Sequence, residues 1–281
     1  MARSAWQPIR GVDFGRLREA RLEAHHAVQW LARAARAFVP PQPDDTHTNL
    51  GWDDALDGFV THPLTGDLRL GLRISPLILV LTGPSAQGFH LGGETDADAR
   101  RWVGAQLSAR GLDAPALDAN APYEIPDHPV ARGGVYGASE SADALVELAV
   151  WFANATTSLE AACNEMRGRG HAPSPVRTWP HHFDVASLTL LEAGDAEHAR
   201  SVNAGFSPGD EHYQEPYFYV SPYPYPDPAK LPALPAVGHW HVHGFTAAIA
   251  PASRILASAD RQASAEAFLD AALDMASMAL R

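Results

Sequence analysis

Cysteine is almost absent from this 281-residue chain, where Cys163 stands alone. That excludes an intramolecular disulfide and a thiolate zinc cluster of the finger kind. Lysine is equally scarce: Lys230 is the only one, in PDPAKLP, and every other cation is an arginine. Schiff-base chemistry would have to rest on Lys230, a loop residue with no desolvating surroundings. No stretch approaches the roughly 18 apolar residues that a membrane span needs. The opening MARSAWQPIRGVDF also lacks the apolar core of a signal peptide. Basic residues number 21 against 33 acidic ones, giving a net charge of -12 without any basic block, so nucleic acid is an unsuitable partner. The expectation is a cytoplasmic protein with no nucleic-acid or membrane partner. A P-loop and a G-x-G-x-x-G opening a helix are missing too, which leaves nucleotide chemistry without an anchor.

What is present is an apolar fraction of 46%, enough for a sizeable core. Leu17, Ala20, Ala24, Val28, Leu31, Ala35 and Phe38 recur at helical steps and predict a first helix stopped by Pro40 and Pro41. His25 and His26 ride on that helix, where an adjacent pair reads as solvated. Leu68 to Ile74 alternates as a half-buried strand, and the apolar run Leu77 to Leu81 reads as a central one. Thr95 predicts the N-cap of a helix that Gly111 ends. The Pro- and Gly-rich stretch after it is a linker or a loop that covers a site; in the second case Tyr123, Glu124, Asp127 and His128 would matter.

A long apolar helix follows, from Leu145 to Met166, ended by Gly168 and Gly170. Strands then dominate until Pro251, and Ala265 to Leu280 predicts a last amphipathic helix. The fold class expected is α+β, with antiparallel sheets and packed helices. The division expected is a half over 1–135 and a half over 136–281, each running helix, strands, helix, which also fits one intimately packed unit.

Reactive side chains concentrate between Val176 and Phe245, in WPHHFDVASLTLL, GFSPGDEHYQEPYFYVSPYPYP and GHWHVHGF. In a strand beginning near Trp179, His182 and Asp184 share a face with Ala186, Leu188 and Leu190, which turns the pair toward the core. Asp210, Glu211, His212 and Glu215 follow a turn and supply imidazole and carboxylate, the donors that zinc, iron or manganese accept. His239 and His241, with His243, fall on one side of a strand, opposite Trp240 and Val242. Tyr217 and Tyr219, with Trp179, are rings suited to a small-molecule pocket. The candidate set is therefore His182, His212, His239 and His241 as metal ligands, Asp184, Glu211 and Glu215 as catalytic carboxylates, and Tyr217, Tyr219 and Trp179 as ligand contacts. Gly205 to Gly209 satisfies G-x-S-x-G, but Pro208 has no N–H to donate to an oxyanion, so serine-hydrolase chemistry is excluded there.

On these motifs, with PDDTHTNLGW upstream, the chain resembles a bacterial family catalogued as a domain of unknown function. The resemblance runs from the first helix to about Pro251 and implies no cofactor, substrate or catalytic residue. Two functional readings stay open. One is a metal-dependent enzyme acting on a small molecule through a His/carboxylate site that holds zinc, iron or manganese. The other is a non-catalytic small-molecule-binding protein in which these residues are structural.

Overall fold

Asp13 opens the first helix by accepting the N–H groups of Gly15 and Arg16 on its side chain, and Val39, held extended before Pro40, closes it. This is α1 (Phe14–Phe38), one element of a computed structural model that describes residues 5–83, 86–138, 140–194 and 199–280. Its buried stripe includes Leu17, Ala20, Ala24, Val28, Leu31 and Ala35, as the periodicity predicts. His25 and His26 correct the expectation of solvation: they are only 5% and 8% exposed. Their neighbours on both sides are buried as well, so this segment of α1 is enclosed all round.

The strands β1 (Gly51–Asp53), β2 (Gly58–Val60), β3 (Leu70–Arg73), β4 (Ile78–Leu81) and β5 (Gln87–His90) pair in chain order as an antiparallel meander. Leu72 stands opposite Leu79, and Leu70 opposite Leu81, all fully buried, while α1 packs against β3. Then α2 (Asp96–Ser108) starts from a capping box, in which Thr95 Oγ1 accepts the Asp98 N–H and Asp98 accepts the Thr95 N–H. The stretch after α2 is irregular apart from two short 3-10 turns, Ala114–Asp118 and Pro129–Arg132.

The long apolar helix is α3 (Ala142–Gly168), followed by β6 (Arg177–Trp179), β7 (Asp184–Leu190), β8 (Ser201–Ser207), β9 (Tyr217–Tyr223), β10 (His239–His241) and β11 (Ala247–Pro251). Two helices close the fold, α4 (Ala252–Leu256) and α5 (Arg261–Ala279). All strand pairings are antiparallel among those described, which makes the class α+β as expected.

The chain divides into two compact units. The N-terminal unit is Val12–Val150 with Arg177–Phe183; the C-terminal unit is Met1–Gly11, Trp151–Val176 and Asp184–Arg281. Neither is a single run of sequence. The N-terminal unit takes in Thr178, which exchanges backbone hydrogen bonds of 2.9 Å with Leu50, and Pro180, whose carbonyl accepts from His25 Nε2 at 2.8 Å. Its core includes Phe183, stacked on His25 and edge-on to Phe59.

In the C-terminal unit the strand order is β10-β11-β9-β8-β7, with α5 packed on β8, β9 and β11. Trp151, Phe152, Phe206 and Phe218 form its aromatic centre, joined by Trp6. Trp6 is held there by its Nε1–H to Ser158 Oγ at 2.9 Å, and Gln7 exchanges two hydrogen bonds with the Asn154 amide.

Candidate functional site

On α1 a spacing of four residues sets Glu19 and Glu23 on one helix face. The turn that opens Pro129–Arg132 brings in His128. One carboxylate oxygen from each Glu and one ring nitrogen of His128 all lie within 4.8 Å of one another. His128 is 5% exposed and its Nε2 sits 2.9 Å from Glu19 Oε1. Val130 N–H donates to the other ring nitrogen, so the proton of the neutral ring is on Nε2 and is donated to Glu19.

Glu23 is only 3% exposed. Gly137 N–H donates to its Oε1 at 2.7 Å, whereas its Oε2 is buried without a hydrogen-bond partner among the described residues. Burial pushes the Glu23 carboxyl up from its ordinary range, against the Gly137 hydrogen bond and the nearby His128, which lower it.

Beside this triad lies a pocket of about 240 Å³. One stripe of α1 supplies His26, Gln29, Trp30, Arg33 and Arg36, at steps of three and four; Asp96 comes from the first turn of α2, and Tyr123 and Ala131 from the irregular stretch. His26 connects the two sites, since it lines the pocket and its ring lies 5.6 Å from that of His128. Trp30 Nε1–H and Tyr136 OH both donate to Asp96 Oδ1, at 2.8 and 3.2 Å, and Tyr123 OH donates to Gln29. The irregular stretch is thus a loop that walls a cavity.

The residues singled out from the sequence fall in several places. Trp179, on β6, meets His181 edge-on in the N-terminal unit. His182 is exposed, its ring 4.3 Å from that of His181, and is not the core-facing residue expected. The reason is a tight turn: Phe183 takes φ +57° and its N–H bonds back to the Trp179 carbonyl, so the strand phase is broken before Asp184. Asp184 opens β7 in the C-terminal unit and accepts the Tyr219 hydroxyl at 2.5 Å. Glu215 accepts the N–H and hydroxyl of Ser253 at the start of α4, and Glu211 is exposed, 3.6 Å from His212.

Within the C-terminal unit the structure does bring His212, His239 and His241 together, around Tyr213. Tyr213 OH lies 3.0 Å from His239 Nε2 and 3.1 Å from His241 Nδ1, and the His212 ring is 5.5 Å from that of His241. Asp210 shapes this loop by accepting the N–H groups of His212 and Tyr213 and the Tyr217 hydroxyl. Burial and Asp210 hold the Tyr217 phenol well above its usual value, and burial and Asp184 do the same for Tyr219. Burial lowers His239, whose Nδ1 has no hydrogen-bond partner among the described residues. Ser207 ends β8 and accepts the Gly209 N–H, and the next element is the strand β9 rather than the helix that a nucleophile elbow needs.

Glu19, Glu23, Arg33, Arg36 and Asp96 were not anticipated from the sequence. The four-residue spacing of the two glutamates was a signal, but carboxylates at that spacing also describe any solvated helix face. These residues define an α+β protein with a carboxylate and imidazole cluster next to a small polar cavity. The chain belongs to a family of unknown function, DUF5996, whose profile matches residues 76–280. That span contains Asp96, Tyr123 and His128, while α1 precedes it. No curated protein and no solved structure matches the chain.

Proposed function

We propose that the protein is a metal-dependent enzyme acting on a small molecule, with Glu19, Glu23 and His128 holding one divalent cation beside the pocket of the N-terminal unit. The observation that carries this is Glu23 Oε2, a buried carboxylate oxygen without a partner, in a group whose ligand atoms lie within 4.8 Å of one another. Leaving such an oxygen unpaired costs on the order of 1–3 kcal/mol or more, and a cation removes that cost. Two carboxylates and one imidazole suit zinc, iron or manganese. The acidic charge and single cysteine support a cytoplasmic setting and a small-molecule rather than nucleic-acid partner.

A cation held by His128 through Nε2 would require the ring proton on Nδ1, which could then no longer accept from Val130 N–H. Metal occupancy is thereby linked to the turn that carries Ala131 into the pocket wall.

The test is metal binding by untagged protein, stripped over chelating resin and titrated with Zn²⁺ or Mn²⁺ by calorimetry. One equivalent is expected, with Glu23→Gln and His128→Gln weakening it by roughly tenfold or more. His239→Gln should leave binding unchanged. Binding that survives Glu23→Gln and His128→Gln, or that disappears in His239→Gln, would overturn the assignment. A stripped protein that takes no metal favours the second reading, a binding protein, which the pocket by itself supports.

A further inference from the structure

We infer that the pocket beside the triad takes a small organic oxyanion, its carboxylate or phosphate group seated between Arg33 and Arg36. This deepens the reading above, since it assigns a substrate class to the cavity that the metal site adjoins. Both arginines line the cavity, one helical turn apart on the same face of α1. Neither forms an ion pair with a carboxylate among the described residues. Arg33 donates to the Leu117 carbonyl at 3.4 Å and stands over the Trp30 ring at 5.2 Å; Arg36 stands over the Tyr123 ring at 5.6 Å. The nearby acid Asp118 is hydrogen-bonded by Arg100, at 2.6 and 2.7 Å, and reaches Arg33 only through a longer-range attraction.

Two guanidinium groups that face one concave site, neither in an ion pair there, repel each other and gain from an anion between them. Ring stacking restricts each fork before the ligand arrives, so less entropy is lost when it grips two oxygens at once. Arginine fits this better than lysine for the same reason.

The cavity also discriminates. At about 240 Å³ it lies below the ~300–1,000 Å³ of drug-sized sites. A metabolite of few heavy atoms fits that volume. Asp96, fixed through Oδ1 by Trp30 and Tyr136, is an acceptor on the same wall. It favours a ligand that carries a hydroxyl or amino group as well as its anionic head.

The experiment titrates resin-stripped protein with inorganic phosphate, with malate and with neutral malonamide, at ionic strength held constant with chloride, read by calorimetry and thermal shift. Phosphate, malate or both should bind saturably and raise the melting temperature above the chloride control, while malonamide does neither. The two anions distinguish a phosphate from a carboxylate head. Arg33→Gln and Arg36→Gln should each weaken anion binding by about tenfold, and Arg33→Lys by less. Should a Gln variant fail to fold, protection of Arg33 and Arg36 from phenylglyoxal by the bound anion, read by peptide mapping, tests the same claim. Anions that protect no better than chloride, or folded Gln variants that bind as tightly as the parent, would overturn the inference. Because the protein is stripped, that result leaves the metal assignment standing, and loss of metal binding with anion binding retained leaves this one standing.

Discussion

His25 shows how much one buried ring can decide. A backbone carbonyl only accepts, so the nitrogen 2.8 Å from Pro180 O carries the proton, and the ring packs flat on Phe183. Burial, outweighing that hydrogen bond, pushes its pKa down to about 3. Below pH 6.5 the unfolded chain takes up a proton that the folded ring refuses, so His25 lends stability above that pH and loses it as pH falls toward 3. We expect urea unfolding of the parent to weaken across this window, and His25→Gln to flatten that part of the profile. At neutral pH the variant should cost little, because Gln29 Nε2 also donates to the Pro180 carbonyl and leaves it satisfied. A profile as steep in the variant as in the parent would contradict this. Nothing in the sequence distinguishes His25 from a surface histidine, because the segment that buries it comes from residues 177–183, about 150 positions away.

At the scale of elements, β7, β8 and β9 show where pattern reading succeeds and where it stops. Alternation and apolar content made the helices α1, α2 and α3 and the strands β3 and β4 legible, since each is set by local periodicity and caps. Across the three later strands the decisive residue is a glycine. Gly205 stands opposite Tyr219 on β9 and Ala186 on β7, and a Cβ at Gly205 would lie 2.4 Å from the Tyr219 Cζ and hydroxyl. The ring therefore lies across β8, and its hydroxyl reaches Asp184 at the start of β7. Gly205→Ala should displace the ring and destabilise the protein by about 1–3 kcal/mol in chemical denaturation. In a Tyr219→Ala background the same change should cost far less; equal costs in both backgrounds would sink this account. The site itself was less legible than the fold. Its glutamates and arginines lie on a helix whose apolar stripe drew the eye elsewhere, and the histidine-rich motifs instead organise a loop around Tyr213.

For the whole molecule, the lack of a long apolar run in the sequence has its counterpart in the fold: among the described residues no helix is long and apolar enough to cross a membrane. The assembly of each unit from separated segments is a different matter, because pairings between remote segments leave no local trace. A fragment of residues 12–150 lacks the Thr178 partner of Leu50 and the Pro180 partner of His25. It should melt at lower temperature and less cooperatively than the same fragment carrying residues 177–183 on a flexible Gly/Ser linker, as followed by circular dichroism. Identical melts would show that the returning segment adds nothing.

The same segmentation bears on how the chain is made. Trp6 and Gln7 leave the ribosome well before their partners Asn154 and Ser158, which are synthesised about 150 residues later, a wait of roughly 8–30 s at ~5–20 residues per second. During that time an indole destined for an aromatic core has no native place to go. The N-terminal unit is likewise left open until residue 183 emerges. Nascent chains stalled near residue 150 should therefore expose apolar surface and engage chaperones, and release them only once the later segments are made.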